Sequence, residues 1–468
     1  MKMKRELAML GLALAAATGG AQVAATPPMG WNSWDAYGLT ITEQQFRDNV
    51  KVLKDKLLPF GYNYAVIDEG WFFENPQDRE TPDKLIYEID LHGRYVPVPE
   101  RFPSAVTGVH VAFGITDVKL KLKASFEETS FTSLGNWVHA QGLKFGIHIV
   151  RGIPRASVER NLPIESSTFN SQDAADTTDA CPWDPTNWGV KDNAAGQAWY
   201  DSLLRQYAAW GVDLLKVDCI ADHPYKVDEI RMIRRAIDKT GRPIVLSLSP
   251  GPTNLSHAEE VGTLANMWRI ADDEWDVWDS NGKGFPQGVK DQFARLAAWE
   301  KYAKPGNWPD ADMLPLGELR PMPGWGKPRT SRLTPDEQQT EITLWAMARS
   351  PLIIGANLTM LDAATLALLT NKDVIAIDQI STKNAEELHS NGPIVDWRAV
   401  LPDGRIALAF FNLGEKGITA YNNDGDMSPG LTPRHVRDVW AAKDLGALND
   451  LPAIKLPPHG CALFLLSK

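Results

Sequence analysis

The chain has 468 residues and a formal net charge of -11 at neutral pH. That excess of acid, spread along the chain, argues against nucleic acid or an anionic membrane surface as a partner. Its three cysteines, Cys181, Cys219 and Cys461, are too few and too scattered for a disulfide framework or a cysteine-built metal cage.

The first stretch reads as targeting. Lys2, Lys4 and Arg5 form a basic head, residues 7–17 an apolar run, and small residues over 18–25 offer cleavage points. An apolar run this short does not span a bilayer, so residues 1–25 are expected to be a removable secretory signal. The mature protein is then expected to be secreted or periplasmic, with an uncleaved, membrane-tethered N-terminus as the competing reading. The remaining chain of about 440 residues exceeds a usual single core and predicts one large domain with a smaller one.

Short apolar runs then alternate with amphipathic stretches. Strands are predicted at 29–31, 62–68, 144–150, 213–218, 243–249, 267–271, 312–314 and 352–355. Helices are predicted near 42–57, 132–140, 194–210, 226–239, 289–302 and 335–349. Eight strand-then-helix units with near-continuous apolar strands are what a (β/α)8 TIM barrel requires, an α/β fold. An open doubly wound sheet is the alternative, but no glycine-rich turn follows the first strand to support it. The connections 72–131 and 151–193 are long and follow strand ends, so both are expected on the mouth face, where such loops are usually functional. After about residue 381 come short strands at 394–397, 406–412, 436–440 and 461–466, divided by Pro, Gly and Asn turns. The division expected is therefore a catalytic barrel over 26–380 and a small C-terminal antiparallel β domain over 381–468.

Two of the predicted barrel strands end in acid. Asp218 closes the fourth, with Lys216 on the same side by the period of two. A neighbouring ammonium keeps such a carboxylate ionised and can also donate to a bound hydroxyl. A purely structural Lys–Asp pair at the rim is the competing use. Asp273 follows the sixth strand, with Arg269 four residues earlier and Asp272 as its rival. The alternative here is that Asp272, Asp273, Glu274 and Asp276 form a solvated acidic loop. Two carboxylates at a barrel mouth are what glycoside hydrolysis needs, one as nucleophile or base and one as proton donor.

Other strand ends supply ligands suited to a sugar. Asp68 and Glu69 close the second strand ahead of Trp71, Trp34 follows the first, and His148 lies in the third. Carboxylates accept from vicinal hydroxyls, and an indole face covers the apolar side of a pyranose ring. Asp68 and Glu69 also suit a metal, but the nine histidines are dispersed without ligand spacing, so neither metal nor cofactor is expected. For the cysteines two readings stand open, Cys181 paired with Cys219 or free buried thiols.

Together these segments resemble the α-galactosidases of glycoside hydrolase family 27. The matching stretches include Thr26-Pro27-Pro28-Met29-Gly30-Trp31-Asn32-Ser33-Trp34, Ile67-Asp68 and Gly211-Val212-Asp213-Leu214-Leu215-Lys216-Val217-Asp218. Further matches are Trp268-Arg269 with Asp273, Trp308-Pro309-Asp310-Ala311-Asp312-Met313-Leu314, and Lys372-Asp373-Val374-Ile375-Ala376-Ile377. They run in order over essentially the whole mature chain. The resemblance implies a catalytic barrel followed by an antiparallel β-sandwich, and double displacement with retention. Asp218 is then the nucleophile and Asp273 the acid/base, with Trp34, Asp68, Glu69, His148, Lys216, Ser249 and Arg269 about the sugar. Retention implies carboxyls about 5–5.5 Å apart.

Departures from the family pattern bear on the sugar. Typical members have paired aspartates where this chain has Asp68-Glu69. The second acid lies near the exocyclic hydroxymethyl, so an extra methylene there favours L-arabinopyranose, which lacks that group. The inserts carrying Gly93-Arg94, Arg101-Phe102-Pro103 and Arg151-Gly152-Ile153-Pro154 also resemble the bacterial branch that includes β-L-arabinopyranosidases. Ser249, in Ser247-Leu248-Ser249-Pro250-Gly251, stands where many members have a glutamate near the 2-position, which admits an N-acetyl group. Cys219 directly follows Asp218, whereas the family cysteine lies two residues on, which puts the family disulfide in question. The expectation is a retaining α-galactosidase acting on galactose-containing oligo- or polysaccharides, with β-L-arabinopyranosidase next and α-N-acetylgalactosaminidase as a minor alternative. A non-catalytic carbohydrate-binding barrel is the alternative of a different class.

Overall fold

The computed structural model describes residues 22–79, 84–116, 125–323, 326–387, 392–420, 435–447 and 453–468. The secretory segment expected at 1–25 lies outside them, apart from residues 22–25. There Gln22 donates to the Pro305 carbonyl, and the Ala24 carbonyl accepts from the Trp308 indole at 2.7 Å. Val23 and Ala24 pack on Tyr64, Val66, Leu214, Val245, Met267 and Trp308, an apolar cluster at the N-terminal end of the strands.

Eight parallel strands curl into one sheet: β1 (Met29–Asn32), β2 (Tyr64–Ile67), β3 (Lys144–Val150), β4 (Val212–Asp218), β5 (Val245–Leu248), β6 (Met267–Arg269), β7 (Trp308–Asp310) and β8 (Leu352–Ile354). Each pairs with the next from β1 to β7, and β8 pairs back to β1, with Met29 opposite Leu352. The (β/α)8 barrel closes between β7 and β8 through Leu314, whose N–H donates to the Ile353 carbonyl at 2.8 Å.

That closure corrects one expectation, because the seventh strand is Trp308–Asp310 rather than 312–314. The Asp310 carboxylate accepts the Asp312 N–H at 3.0 Å, and Asp312 takes a φ of 98°. A side chain that captures the backbone two residues on turns the chain out of the ladder. Leu314 then rejoins the sheet by a single bridge.

The outer helices follow their apolar spacing. Val227–Thr240 buries Ile230, Ile233 and Ile237 on one stripe and stops at Gly241, whose φ of 69° completes a left-handed cap. Pro335–Ala348 starts with a Thr334/Glu337 capping box and a proline in its first turn. It has no solvent stripe, because it is covered by the barrel on one side and the C-terminal domain on the other. The short helix Ala258–Leu264 between β5 and β6 was not anticipated; seven residues give too little periodicity to read.

Both long connections carry small sheets of their own. The first holds Ile86–Ile89, Val106–Thr116 and Ser125–Thr129, and the second Ile153–Pro154, Asn187–Val190 and Ala175–Asp176. Arg101 pins the first to the barrel by donating to the carbonyls of Gly70, Phe73, Leu39 and Ile41. A Cys181–Cys219 disulfide ties the second to the residue after β4, which resolves the two readings of these thiols in favour of the pair.

The chain then enters a six-stranded antiparallel sheet, ordered Thr382–Glu387, Ile394–Val400, Ile406–Asn412, Cys461–Ser467, His435–Asp438 and Lys443–Gly446. A two-stranded pair, Ile418–Ala420 with Ile454–Leu456, covers one face. Ile406, Val436, Ile454, Leu456, Phe464 and Leu466 fill the sandwich between them. The joint to the barrel is partly polar: Thr340 donates to the His459 carbonyl at 2.6 Å, and the Trp440 indole to Thr343 at 3.1 Å.

Candidate active site

Trp34, Asp68, Glu69, Lys216, Asp218, Ser249, Arg269 and Asp273 line one cavity at the C-terminal ends of the barrel strands. They come from five strand ends far apart in sequence, which is how a barrel assembles a site. His148, expected to contact the sugar, is not in the lining. It is 1% exposed and stands behind the carboxylates, its Nε2 3.4 Å from Asp218 and 4.0 Å from Asp68.

One side of the cavity is built on β1, β2 and β4. Asp68 accepts from Asn32 at 2.7 Å, from Lys216 at 2.9 Å and from the Glu69 N–H at 2.9 Å. Burial opposes its charge, but Lys216, His148 and these hydrogen bonds outweigh burial and hold the carboxyl well below its ordinary range. Asp218 follows the same balance. Burial raises it, yet the His148 hydrogen bond and charge, Lys216 and the Cys219 N–H bring it below the ordinary value. It is therefore ionised at neutral pH. Lys216 loses by burial and gains more from Asp68 and Asp218, so its pKa lies above the usual lysine value.

The opposite side is built on β6 and β7. Arg269, 3% exposed, reaches Asp312 at 2.6 Å and Asp273 at 3.3 Å through the same Nη2. Asp273 is in the cavity lining and Asp272 is not, which separates the two rivals by position. Burial, with Asp273 and Asp310 nearby, pushes Asp312 up to about 7 despite Arg269. Glu274 is buried with neither carboxyl oxygen hydrogen-bonded among the described residues. Burial and the acids Glu341, Asp312, Asp35 and Asp276 raise its pKa well above the ordinary value, so it is neutral.

The acidic loop is thus not the solvated one that stood as the alternative. Glu274 is enclosed, and Asp276 is fully covered by Arg329 and Arg332. Asp35, Glu274, Trp275, Asp312 and Met313 also line the cavity and were not anticipated. For Asp312 the signal was present, since it lies in the Trp308–Leu314 stretch, but it was read as strand. Glu69 also has a cation that was not foreseen: Arg79, from the first long connection, lies 3.9 Å from it and over the Trp34 ring. Ser249 Oγ is buried without a partner among the described residues. Among those residues no group of three or more His, Cys, Asp or Glu is placed to hold a metal ion.

Known proteins are similar to this chain over most of its length. A family model described as alpha galactosidase A matches residues 191–380, and one for the alpha galactosidase C-terminal beta sandwich domain matches 391–466. The crystal structure of a GH27 β-L-arabinopyranosidase from Geobacillus stearothermophilus is 40% identical, with a TM-score of 0.81 over 95% of this chain and 97% of that one. The chain belongs to glycoside hydrolase family 27. Among curated relatives, an alpha-galactosidase of Oryza sativa is 27% identical over 94% of this chain and 85% of its own length. An alpha-N-acetylgalactosaminidase of Gallus gallus is 25% identical over 95% of this chain and 94% of its own length. In this family 27 hydrolase the cavity joins a carboxylate kept ionised to a second carboxylate beside an arginine, which is the equipment for cleaving a glycosidic bond.

Proposed function

We propose that this family 27 hydrolase is a retaining exo-glycosidase that prefers terminal β-L-arabinopyranosyl groups. Asp218 attacks the anomeric carbon while Asp273 protonates the departing oxygen. Asp273 then takes the proton from the water that releases the glycosyl group from Asp218. Lys216 and His148 keep the nucleophile charged, and Arg269 orients Asp273.

The observation that carries the sugar preference is Glu69, 5% exposed in the cavity wall and faced by Arg79. One methylene more than aspartate takes up the space that a hydroxymethyl group would occupy. The 40% identity to a β-L-arabinopyranosidase supports the same reading. The α-D-galactoside activity expected from the family motifs is the second reading, favoured by full-length likeness to alpha-galactosidases. Export belongs to this proposal as well, supported by the basic and apolar leader and by the Cys181–Cys219 disulfide.

The test is kcat/KM on the p-nitrophenyl glycosides of β-L-arabinopyranose, α-D-galactose and α-N-acetylgalactosamine. The arabinopyranoside should lead, and Glu69→Asp should move the ratio towards galactose by about tenfold. A parent enzyme that prefers the galactoside, or a ratio that ignores Glu69→Asp, contradicts the proposal.

A further inference from the structure

The second long connection brings an aromatic side chain to the mouth for which the cleavage step has no use. Trp183 is half-buried. It packs on Val150, Cys181 and Cys219, and Cys219 donates its N–H to the Asp218 carboxylate. Its neighbour Asp184 is buried and anchored by Thr186. Trp183 is therefore fixed between two tethers, one residue away from the nucleophile, with part of its ring left to solvent.

His223 completes a pair. Its ring lies 5.4 Å from the Trp183 ring, its side chain is 46% exposed, and Asp222 binds it at 2.8 Å. Neither ring is in the cavity lining, and the Trp183 ring reaches the nucleophile's loop through Cys219.

We propose that Trp183 and His223 form a leaving-group subsite that takes the second sugar ring of an oligosaccharide substrate. The apolar face of a pyranose stacks on aromatic rings, and Asp222, 2.8 Å from the His223 ring, offers an acceptor for its hydroxyls. Substrate specificity then has two parts, the cavity for the ring that is cleaved and this rim for the ring that leaves. The inference rests on the glycosidase reading above.

The test compares an oligosaccharide with the glycosyl fluoride of the same cleaved sugar, which has no second ring. Hydrolysis of the fluoride by the parent enzyme checks the glycosidase reading by itself. Trp183→Ala should lower the ratio of kcat/KM on the oligosaccharide to that on the fluoride by about tenfold, the scale of one aromatic contact. His223→Ala, a change at an exposed side chain, should lower the same ratio by a smaller factor. An unchanged ratio in His223→Ala, or equal losses on both substrates in Trp183→Ala, would show that the rings only cover the disulfide and overturn the proposal.

Discussion

The two sides of the cavity handle charge in opposite ways. On the β2–β4 side, two carboxylates, Asp68 and Asp218, share Lys216 and His148, and both are held below their ordinary pKa. On the β6–β7 side one cation, Arg269, serves Asp273 and Asp312, while Glu274, Asp35 and Glu341 lie buried nearby with carboxyl oxygens that find no hydrogen-bond partner among the described residues. Asp35, Glu274, Asp312 and Glu341 are pushed up, by burial first and then by neighbouring acids. A double displacement needs a permanent anion facing a group that gives and takes a proton. The anion is Asp218, where His148, Lys216 and the Cys219 N–H outweigh burial.

Removing the cation of the ionised side should have the largest effect. Lys216→Met is expected to lower kcat/KM by about 10²–10³-fold, the scale of one preorganised charge in a site. Because Lys216 lowers both Asp68 and Asp218, its loss raises their pKa, so the acidic limb of the pH profile should move to higher pH. A limb that stays in place would remove Lys216 from the electrostatic account. Asp312→Asn acts on the other side and should cost less, about tenfold. It releases Arg269 to Asp273 alone and deletes a neighbouring acid. The check is kcat/KM on the same glycoside, and an unchanged value would remove Asp312 from the account of the site.

The smallest effect is on stability. Glu341 lies outside the cavity lining, and burial with its acidic neighbours raises it well above the ordinary glutamate value. The folded chain then holds a proton that the unfolded chain releases, and stability falls as pH rises above the ordinary glutamate range. Glu341→Gln removes that dependence. It should raise Tm by about 2 °C at about pH 8, with the gain shrinking towards about pH 4. An equal gain at both values would mean that Glu341 is ionised in the fold.

What the sequence disclosed follows the same division. The ionised side was legible because its charges sit at fixed offsets on apolar strands: Lys216 and Asp218 at a spacing of two, Asp68 at the end of its run. The other side was not, because its acids belong to loops. Only the fold buries Glu274 against Glu341, and only a φ of 98° at Asp312 turns its carboxylate towards Arg269. Arg79 approaches Glu69 through a long connection, whose path no periodicity reveals. His148 was placed at the right strand end but stands outside the cavity lining, since alternation along a strand does not say how far a side chain stands from the mouth.

The division of labour between the two sides rests on Asp218 as the nucleophile, and azide rescue tests that directly. Asp218→Ala should be inactive in water, and azide, entering the space left by the carboxylate, should restore turnover and yield a glycosyl azide of inverted configuration. Turnover at the parent rate without azide, or an azide product of retained configuration, would contradict it.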